Sequence, residues 1–312
     1  MYIKYKNRHL GLICKSIFLR YFFNPIYLYA KYIVIELLYS QKTVILNATS
    51  YPTNRGLIPR FESNIGDDIN YILIPLVFKK YAVPYKYSII GRYLLRRDNV
   101  LFIGSIITGL SNSKSIVVGS GLSPDQTTKP LVSPKKIISV RGPLTRQYLQ
   151  DHSIVCPPIY GDPALVLPLF YSPIKNKKYK IGFILHFLDK QPQVLELLSK
   201  YDNCVILDVS NYGNWKCFID TLCSCELILS SSLHGLIFAD TYNVPNVWTH
   251  FSFKVNPFKY QDYFLSVERV CDNPFELISY IPIERLLELK HQFISIRYDR
   301  RQLLAYLRSS NI

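Results

Sequence analysis

Short apolar runs rich in β-branched residues alternate with helical stretches from residue 40 onward, and this alternation most constrains the fold. The pattern is typical of parallel sheets whose strands are joined by crossover helices. The predicted strands are Val44–Leu46, Val100–Ile103, Ile116–Val118, Ile137–Val140, Lys180–Leu185, Val205–Val209, Leu227–Leu229 and Asn246–Trp248. The predicted helices are Asp67–Lys80, Pro143–Asp151, Gln193–Lys200, Trp215–Cys225 and Leu233–Tyr242. In such sheets ligands bind beyond the carboxyl ends of the strands, so the residues after each strand are candidates for a functional site.

The alternation occurs twice, and a proline-rich stretch at residues 157–178 separates the two series and is predicted to be a linker. A length of 312 residues also favours two domains, at about 150 residues per domain. We therefore predict an α/β fold with two Rossmann-like domains that face each other across a cleft. The predicted boundaries are a basic, aromatic helical arm at 1–40, an N-terminal domain at 41–170, a C-terminal domain at 171–275 and a helical tail at 276–312.

The chain carries 37 Lys and Arg against 22 Asp and Glu, and the formal net charge of +15 predicts an anionic partner. Its basic doublets are scattered and belong to no known nucleic-acid-binding motif, so we predict no binding to nucleic acid. The arm differs, because six basic residues and many aromatics accompany a single acid, Glu36. Its apolar residues recur at helical spacing, which predicts either a helix on an anionic membrane or one packed on the protein's own core.

Seven cysteines, an odd number without a C-x-x-C pair, are predicted to be reduced thiols, and their spacing predicts no metal site. Reduced thiols indicate a reducing compartment, most simply the cytosol. The longest stretch without charge, Asn99–Ser113, is shorter than the roughly 18 apolar residues that a membrane span needs, so no transmembrane helix is predicted. The predicted location is therefore cytoplasmic, or peripheral at the inner face of the cell membrane if the arm binds lipid.

Glycines and serines follow two predicted strands, at Gly104-Ser105 and at Gly119-Ser120-Gly121. Such turns either let backbone N–H groups approach a ligand or simply connect a strand to a helix. They do not form a dinucleotide-binding fingerprint, because Pro124 stands in place of its third glycine. Arg141 ends the next strand, where its guanidinium either clamps a carboxylate or phosphate or forms an internal ion pair.

Three serines, Ser230-Ser231-Ser232, precede the predicted helix that contains His234. They supply capping groups and an anion-binding helix N-terminus, and His234 in the first turn is either structural or a titrating group beside a bound anion. The segment Asn64-Ile65-Gly66-Asp67-Asp68 opens the first long helix. One of its acids either caps that helix or faces the cleft.

Together these segments resemble the polysaccharide pyruvyl transferase family over about residues 43–265. The motifs occur in the family's order, and they are Asn64 to Asp68, Ile103-Gly104-Ser105, Val118-Gly119-Ser120-Gly121, Val140-Arg141-Gly142-Pro143, Gly161-Asp162-Pro163-Ala164-Leu165 and Ser231-Ser232-Leu233-His234-Gly235. The late segment Lys259-Tyr260-Gln261-Asp262-Tyr263 is similar to the family's Lys-Phe-x-Asp-Tyr signature. Many members carry arginine where this chain has Ser232.

The resemblance implies a fold similar to the GT-B glycosyltransferases, phosphoenolpyruvate as donor, and a sugar diol of a capsule or exopolysaccharide, or its lipid-linked precursor, as acceptor. No metal ligand set is visible in the sequence, so we predict no metal, and no cofactor beyond phosphoenolpyruvate as co-substrate. The resemblance also implies a functional histidine at His234, which we predict to be the general acid for the donor carbon, with Asp67 or Asp68 as base for the acceptor hydroxyl. The predicted donor- and substrate-binding residues are Asn64, Gly66, Ser105, Gly119, Ser120, Gly121, Arg141, Ser230, Ser231, Ser232 and Lys259.

Two other functions stay open at this stage. The first is a GT-B glycosyltransferase that uses a nucleotide sugar, because residues 233–245 also resemble the helix that binds donor phosphates there. Such enzymes usually hold the ribose with acids around this helix, and here the helix offers only Asp240. The second is a basic membrane- or polymer-binding protein on a degenerate enzyme scaffold, against which the joint presence of His234, Arg141 and Asp67 argues.

Overall fold

Two parallel β-sheets of five strands each organise the part of the chain that the structure describes. The structure is a computed structural model, and it describes residues 26–49, 64–124, 130–174, 176–252, 256–270, 273–310 and 312. Each pair of neighbouring strands in both sheets runs parallel. The predicted α/β class is therefore confirmed.

Within its described residues, the first half of the chain builds one sheet and four α-helices. The strands are β1 (Thr43–Leu46), β2 (Tyr81–Pro84), β3 (Asn99–Leu101), β4 (Ser115–Val118) and β5 (Lys136–Ser139), in the order β2-β1-β3-β4-β5. The helices are α1 at residues 26–39, α2 (Ile65–Phe78), α3 (Ile107–Leu110) and α4 (Pro143–Asp151), with a π-helical turn at Ile90–Leu94. Asn64 fixes the start of α2, because its side chain accepts a hydrogen bond from the Gly66 N–H at 2.9 Å.

The second half builds the other sheet and six helices within the described residues. The strands are β6 (Tyr179–Leu185), β7 (Cys204–Asp208), β8 (Cys225–Ser230), β9 (Asn246–His250) and β10 (Phe275–Glu276), in the order β10-β9-β8-β6-β7. The helices are α5 (Pro192–Leu198), α6 (Trp215–Cys223), α7 (Leu233–Thr241), α8 (Phe258–Ser266), α9 (Ile283–Glu288) and α10 (Arg300–Ser309).

All eight predicted strands are present, with ends within two residues of those expected. Strands β2 and β10, which lie at the edges of the two sheets, were not predicted, and neither were helices α3 and α8. An edge strand is paired on one side only, so it needs no continuous apolar run: Tyr81 of β2 is exposed, and Pro84 ends the strand without donating a ladder hydrogen bond.

Part of the stretch predicted as a linker, residues 157–178, instead lies in the core. Pro163–Leu169 forms a 3₁₀-helix that packs against α2, α7 and α10. The four residues Ala164 to Leu167 have no exposed surface. The prediction was wrong here because prolines that interrupt an α-helix are compatible with a short 3₁₀ segment, and the apolar residues between them favour burial.

One hydrophobic core contains residues from both halves of the chain, among them Leu73, Val100, Ile184 and Leu236. The C-terminal tail joins the same core, since Leu303 and Leu307 of α10 are buried in it. Only part of this tail is helical, because β10 precedes α9 and residues 293–299 carry no helix. The tail thus returns from the second sheet to pack on the first half.

The described part of the predicted arm is α1, whereas residues 1–25 lie outside the described residues. One face of α1 packs on the protein through Leu28 and Tyr32, as one of the two alternatives for the arm requires. The buried carboxylate of Glu36 accepts hydrogen bonds from the Ser88 hydroxyl and from the N–H groups of Ile90 and Gly91. Nowhere in the described ranges does a helix have the length and apolar character needed to cross a bilayer.

Candidate active site

A cavity of about 150 Å³ lies where strands of both sheets end. Its wall is formed by Thr49, Asn64, Asp67, Gly104, Ser105, Ile106, His186, Ser232, Leu233, His234 and Lys259. Thr49 comes shortly after β1, Gly104 after β3, His186 directly after β6 and Ser232 after β8. The cavity therefore occupies the position at which parallel sheets present their ligands. Six of the residues predicted from the sequence lie in its wall: Asn64, Asp67, Ser105, Ser232, His234 and Lys259.

The His234 ring lies against the first turn of α2, and Gly66 makes this contact possible. A β-carbon at Gly66 would lie 2.0 Å from His234 Nδ1, far inside van der Waals contact. Burial, followed by the charges of Arg141 and Lys259, lowers the pKa of His234 to about 3. Its Nε2 atom is enclosed and has no hydrogen-bond partner among the described residues. His234 is therefore a neutral imidazole with an unused ring nitrogen at the cavity.

Replacing Gly66 with alanine is expected to displace the His234 ring and to cost roughly 1–3 kcal/mol of unfolding free energy, the usual cost of overpacking. The expected drop in turnover exceeds what this loss of stability explains, because the imidazole moves. Gly109→Ala is the matched control, since nothing lies within 4 Å of a β-carbon there. Chemical denaturation and steady-state kinetics of both variants measure the difference. Equal behaviour of the two variants would contradict the contact.

The two acids at the start of α2 have separate surroundings. Asp67 lies in the cavity wall, and burial raises the pKa of its carboxyl to about 6, while a hydrogen bond from Thr49 and the charge of Lys259 act in the opposite direction. Asp68 is buried and accepts a hydrogen bond from the Tyr212 hydroxyl in the second half of the chain. The structure thus brings Asp67 to the cavity and engages Asp68 in packing between the halves.

A second histidine, His186, lies in the cavity wall and was missed by the sequence analysis. Burial, together with the charge of Lys259, lowers the pKa of His186 to about 4. Its Nδ1 accepts a hydrogen bond from the Leu188 N–H at 3.4 Å, so the neutral ring carries its proton on Nε2. Its position as the first residue after β6 could have identified it, because the predicted strand Lys180–Leu185 ends directly before it.

Helix α8 supplies Lys259, the one basic side chain of the wall within the described ranges. The following residues of the same helix secure it. Tyr260 donates a hydrogen bond to the Ser231 carbonyl at 2.6 Å and stacks on Trp248, and Tyr263 donates to Asp240 at 3.0 Å. The Lys-Tyr-Gln-Asp-Tyr segment noted in the sequence is therefore a helix that holds a lysine in the cavity wall.

Arg141 is placed behind the wall and has no exposed surface. Its Nε donates to Asp262 at 3.2 Å, one Nη donates to the Ser105 hydroxyl at 2.7 Å, and the other donates to the Leu122 carbonyl at 3.2 Å. Each nitrogen of the guanidinium donates to a protein acceptor, and the predicted clamp on a donor stays a prediction. The arginine positions Ser105, which does line the cavity.

The remaining predicted binding residues also lie behind the wall. The Ser120 hydroxyl donates to the Gly104 carbonyl at 2.8 Å, the Gly121 N–H donates to the same carbonyl at 2.9 Å, and Gly119 packs against Pro163. The Ser230 hydroxyl bonds to backbone groups of its own turn and of β6, and the Ser231 hydroxyl accepts from the His186 N–H at 2.8 Å. These residues shape the loops of the cavity, and their direct contacts with substrate stay predictions.

Metal ligands are not grouped in the described residues: no set of three or more His, Cys, Asp or Glu lies close enough to hold an ion. None of the five cysteines in the described residues forms a disulfide bond. The sequence-based expectations of no metal and no cofactor stay predictions.

Two neutral histidines, a carboxyl group and a lysine at the carboxyl ends of two parallel sheets define an α/β protein equipped for acid–base chemistry on an anionic ligand. Comparison with known families gives the particular assignment. The model of the family described as "Polysaccharide pyruvyl transferase" matches residues 63–249, and the chain belongs to this family.

Two curated relatives are similar to the chain. An uncharacterised protein of Acanthamoeba polyphaga mimivirus is 30% identical over 171 residues, which cover 52% of this chain and 58% of the relative. The succinoglycan biosynthesis protein ExoV of Rhizobium meliloti (strain 1021) is 28% identical over 211 residues, which cover 64% of this chain and 60% of that protein. The chain thus spans about three fifths of the length of these relatives. No solved structure matches it significantly.

Proposed function

We propose that the protein transfers the pyruvyl group of phosphoenolpyruvate to a sugar diol and forms a cyclic ketal. The proposed acceptor is a capsule or exopolysaccharide unit or its lipid-linked precursor, handled by a cytoplasmic or peripheral enzyme with a GT-B-like arrangement of its two sheets. Membership of the family and the similarity to a protein named for succinoglycan biosynthesis support this proposal. The observation that carries it is the cavity in which His234, Asp67 and Lys259 lie together.

The charges of the cavity suit an anionic donor. Lys259 and the N-terminus of α7, which begins at Leu233, both favour phosphate or carboxylate groups. His234 is neutral in the free protein, because burial and two nearby cations lower its pKa to about 3. A bound phosphate and carboxylate reverse the local charge and raise that pKa, so the donor itself provides the condition under which His234 takes up a proton.

In the proposed reaction, His234, Asp67 and Lys259 each have a distinct role. Protonated His234 gives its proton to the methylene carbon of phosphoenolpyruvate, and the first acceptor hydroxyl bonds to the central carbon while Asp67 accepts the hydroxyl proton. The bond from that carbon to the phosphate oxygen breaks, the second hydroxyl adds, and its proton leaves with the phosphate or by way of His234. Lys259 stabilises the departing phosphate. The products are the ketal and inorganic phosphate, and no redox change occurs.

Mass spectrometry of a sugar-diol panel incubated with the full chain and phosphoenolpyruvate tests the proposal. The expected product gains one pyruvate less one water, and phosphate appears in equal amount. His234→Gln under the same conditions is the control for a trace contaminant enzyme. A product that instead gains a sugar from a nucleotide sugar, or an unmodified panel, would overturn the proposal.

The structure offers no group for the ribose of a nucleotide sugar on α7. Asp240, its acidic residue, has 1% of its surface exposed. Its carboxylate accepts hydrogen bonds from Asn246 at 2.7 Å, from Tyr263 at 3.0 Å and from Arg269 at 3.0 Å. The carboxylate is therefore committed to packing, and the glycosyltransferase alternative gains no support from it.

Replacing Asp67 with asparagine is expected to stabilise the fold above about pH 6. A carboxyl whose folded pKa is raised from 3.8 to about 6 favours its protonated form in the native state, so its contribution to stability is present at low pH and is lost as pH rises through 6. The melting temperature of Asp67→Asn minus that of wild type should therefore widen between about pH 4 and 6 and stay constant above. A difference that does not change with pH would contradict the raised pKa of the Asp67 carboxyl.

A further inference from the structure

The outer face of α1 is an uninterrupted apolar surface. Its exposed side chains are Ile26, Tyr27, Ala30, Val34, Leu37 and Leu38. Five of these large side chains expose between 51% and 69% of their surface. At 100° per residue all six fall within about one third of the helix circumference. We call this set the α1 apolar face.

The opposite face of α1 is fixed to the protein, so the outward orientation of the α1 apolar face follows from packing. The Tyr32 ring stacks on Tyr87 with centroids 5.8 Å apart. Glu36, with 1% of its surface exposed, binds the Ser88 hydroxyl and the start of the π-helical turn. A rotation that buried the α1 apolar face would bring the Glu36 carboxylate into solvent and leave those backbone N–H groups without their acceptor.

The surroundings of α1 are basic. The described residues between 26 and 97 include eight basic side chains: Lys31, Lys42, Lys79, Lys80, Lys86, Arg92, Arg96 and Arg97. Lys31 lies about 20° beyond Leu38 around the helix, at the border of the α1 apolar face, and Lys42 follows the helix. Lys80 and Lys86 adjoin Tyr81 and Tyr87, whose rings contact Tyr39 and Tyr32 on the opposite side of the helix. The three acids in these ranges are the buried Glu36 and Asp68 and the cavity residue Asp67, so they add little negative charge at this surface.

An apolar face with basic side chains nearby favours one class of binding partner over others. A second copy of the chain would bring two sets of basic side chains together, which opposes association. Nucleic acid would match the charge but would leave the aliphatic side chains unused. An anionic bilayer surface satisfies both, because aliphatic side chains enter the boundary between headgroups and acyl chains while basic side chains meet the phosphates.

We propose that the α1 apolar face docks the protein on an anionic lipid bilayer, with Lys31 and Lys42 at the headgroups. The proposal goes beyond the transfer reaction, because binding to lipid requires neither donor nor acceptor. The proposed contact with lipid is made by α1 itself and does not depend on residues 1–25. A bilayer-bound α1 would bring the enzyme to the surface on which a lipid-linked acceptor lies.

Vesicle co-sedimentation of the full chain tests this docking. Wild type is expected to bind phosphatidylcholine vesicles that contain phosphatidylglycerol at least tenfold more tightly than vesicles of phosphatidylcholine alone, and to lose this preference as salt rises. Leu37→Ser/Leu38→Ser should bind the anionic vesicles about 100-fold more weakly, because two aliphatic side chains no longer enter the bilayer. Val155→Ser/Ile174→Ser is the matched control, since these side chains are 91% and 75% exposed elsewhere on the protein and should leave binding unchanged.

Both double variants should melt at the temperature of wild type, because the replaced side chains are exposed. Unchanged vesicle binding by Leu37→Ser/Leu38→Ser would overturn the proposal and place any lipid contact elsewhere. Two other results would also overturn the proposal. One is a wild-type dimer that this variant converts to a monomer, and the other is RNA that competes fully with vesicles for binding. Turnover on a soluble acceptor should be equal in both variants, which separates a failure of docking from a failure of the proposed reaction.

Discussion

Replacing His234 with alanine is expected to lower turnover at saturating donor by roughly 10²–10⁴-fold, the usual contribution of a positioned proton donor. The fold should survive, because the ring lies at the cavity wall and its Nε2 holds no other described residue. Steady-state kinetics and thermal unfolding of the same preparation measure both quantities. A loss of turnover that only mirrors a loss of folded protein would contradict the assignment.

The charge state of His234 provides a sharper test of its role. Because its pKa is about 3 in the free protein, donor binding must be accompanied by proton uptake if His234 is to act as an acid near neutral pH. Calorimetry of phosphoenolpyruvate binding in buffers with different ionisation enthalpies measures this uptake. Uptake is expected in wild type and in His186→Gln, which removes the other cavity imidazole, and is expected to vanish in His234→Gln. Retention of the uptake and of near-full turnover in His234→Gln would exclude the acid role.

Replacing Asp262 with alanine is expected to cost about 3–5 kcal/mol of unfolding free energy, because it leaves the fully buried Arg141 guanidinium without its counter-ion. It also removes the acceptor of the Thr145 N–H and hydroxyl, at 2.8 and 2.7 Å. Chemical denaturation measures the change. Glu226→Ala is the matched control, since the Glu226–Lys290 pair is partly exposed and should contribute about 1 kcal/mol or less.

A double replacement separates the two tasks of the buried pair. Arg141→Met/Asp262→Leu should recover much of the stability, because apolar side chains of similar volume often replace a buried ion pair without loss. Activity should stay low, since the Ser105 hydroxyl loses the guanidinium that positions it. Full activity in the double variant would show that this positioning has no functional role. Equal losses of stability in Asp262→Ala and Glu226→Ala would contradict the burial itself.

The sequence predicted the strands well, because β-branched apolar runs flanked by glycine or polar residues are local signals. It also identified His234, Asp67 and Lys259, which lie in the cavity wall as expected of residues in the family's motifs. The partner of Arg141 was not predictable, because Asp262 is 121 residues away in sequence and only the packing of α4 on α8 brings the two together. Whether an arginine at a strand end reaches a ligand or the interior depends on that non-local contact.

His186 was not predicted as a site residue, although its position in the fold was. The predicted strand placed His186 directly after its end, but no glycine- or serine-rich turn indicated a site there. The backbone N–H of His186 donates to the hydroxyl of Ser231, which follows a different strand. The linker prediction failed for a related reason, because proline density reports on local backbone conformation and carries no information on burial. In both cases the information that the sequence lacked was a contact between segments far apart along the chain.

Helix α8 also determines how this protein can be recombined with its relatives. The helix belongs by sequence to the second half, yet Asp262 binds Arg141 and Thr145 of the first half, while Lys259, one turn earlier, serves the cavity. A chimera that exchanges the halves at any point between Thr145 and α8 therefore separates the Asp262 carboxylate from Arg141 and Thr145. Functional exchange requires either that Arg141, Thr145 and Asp262 travel together or that both parents share them. Insertion of one residue between Lys259 and Asp262 would rotate one side chain by about 100° relative to the other and abolish one task or the other.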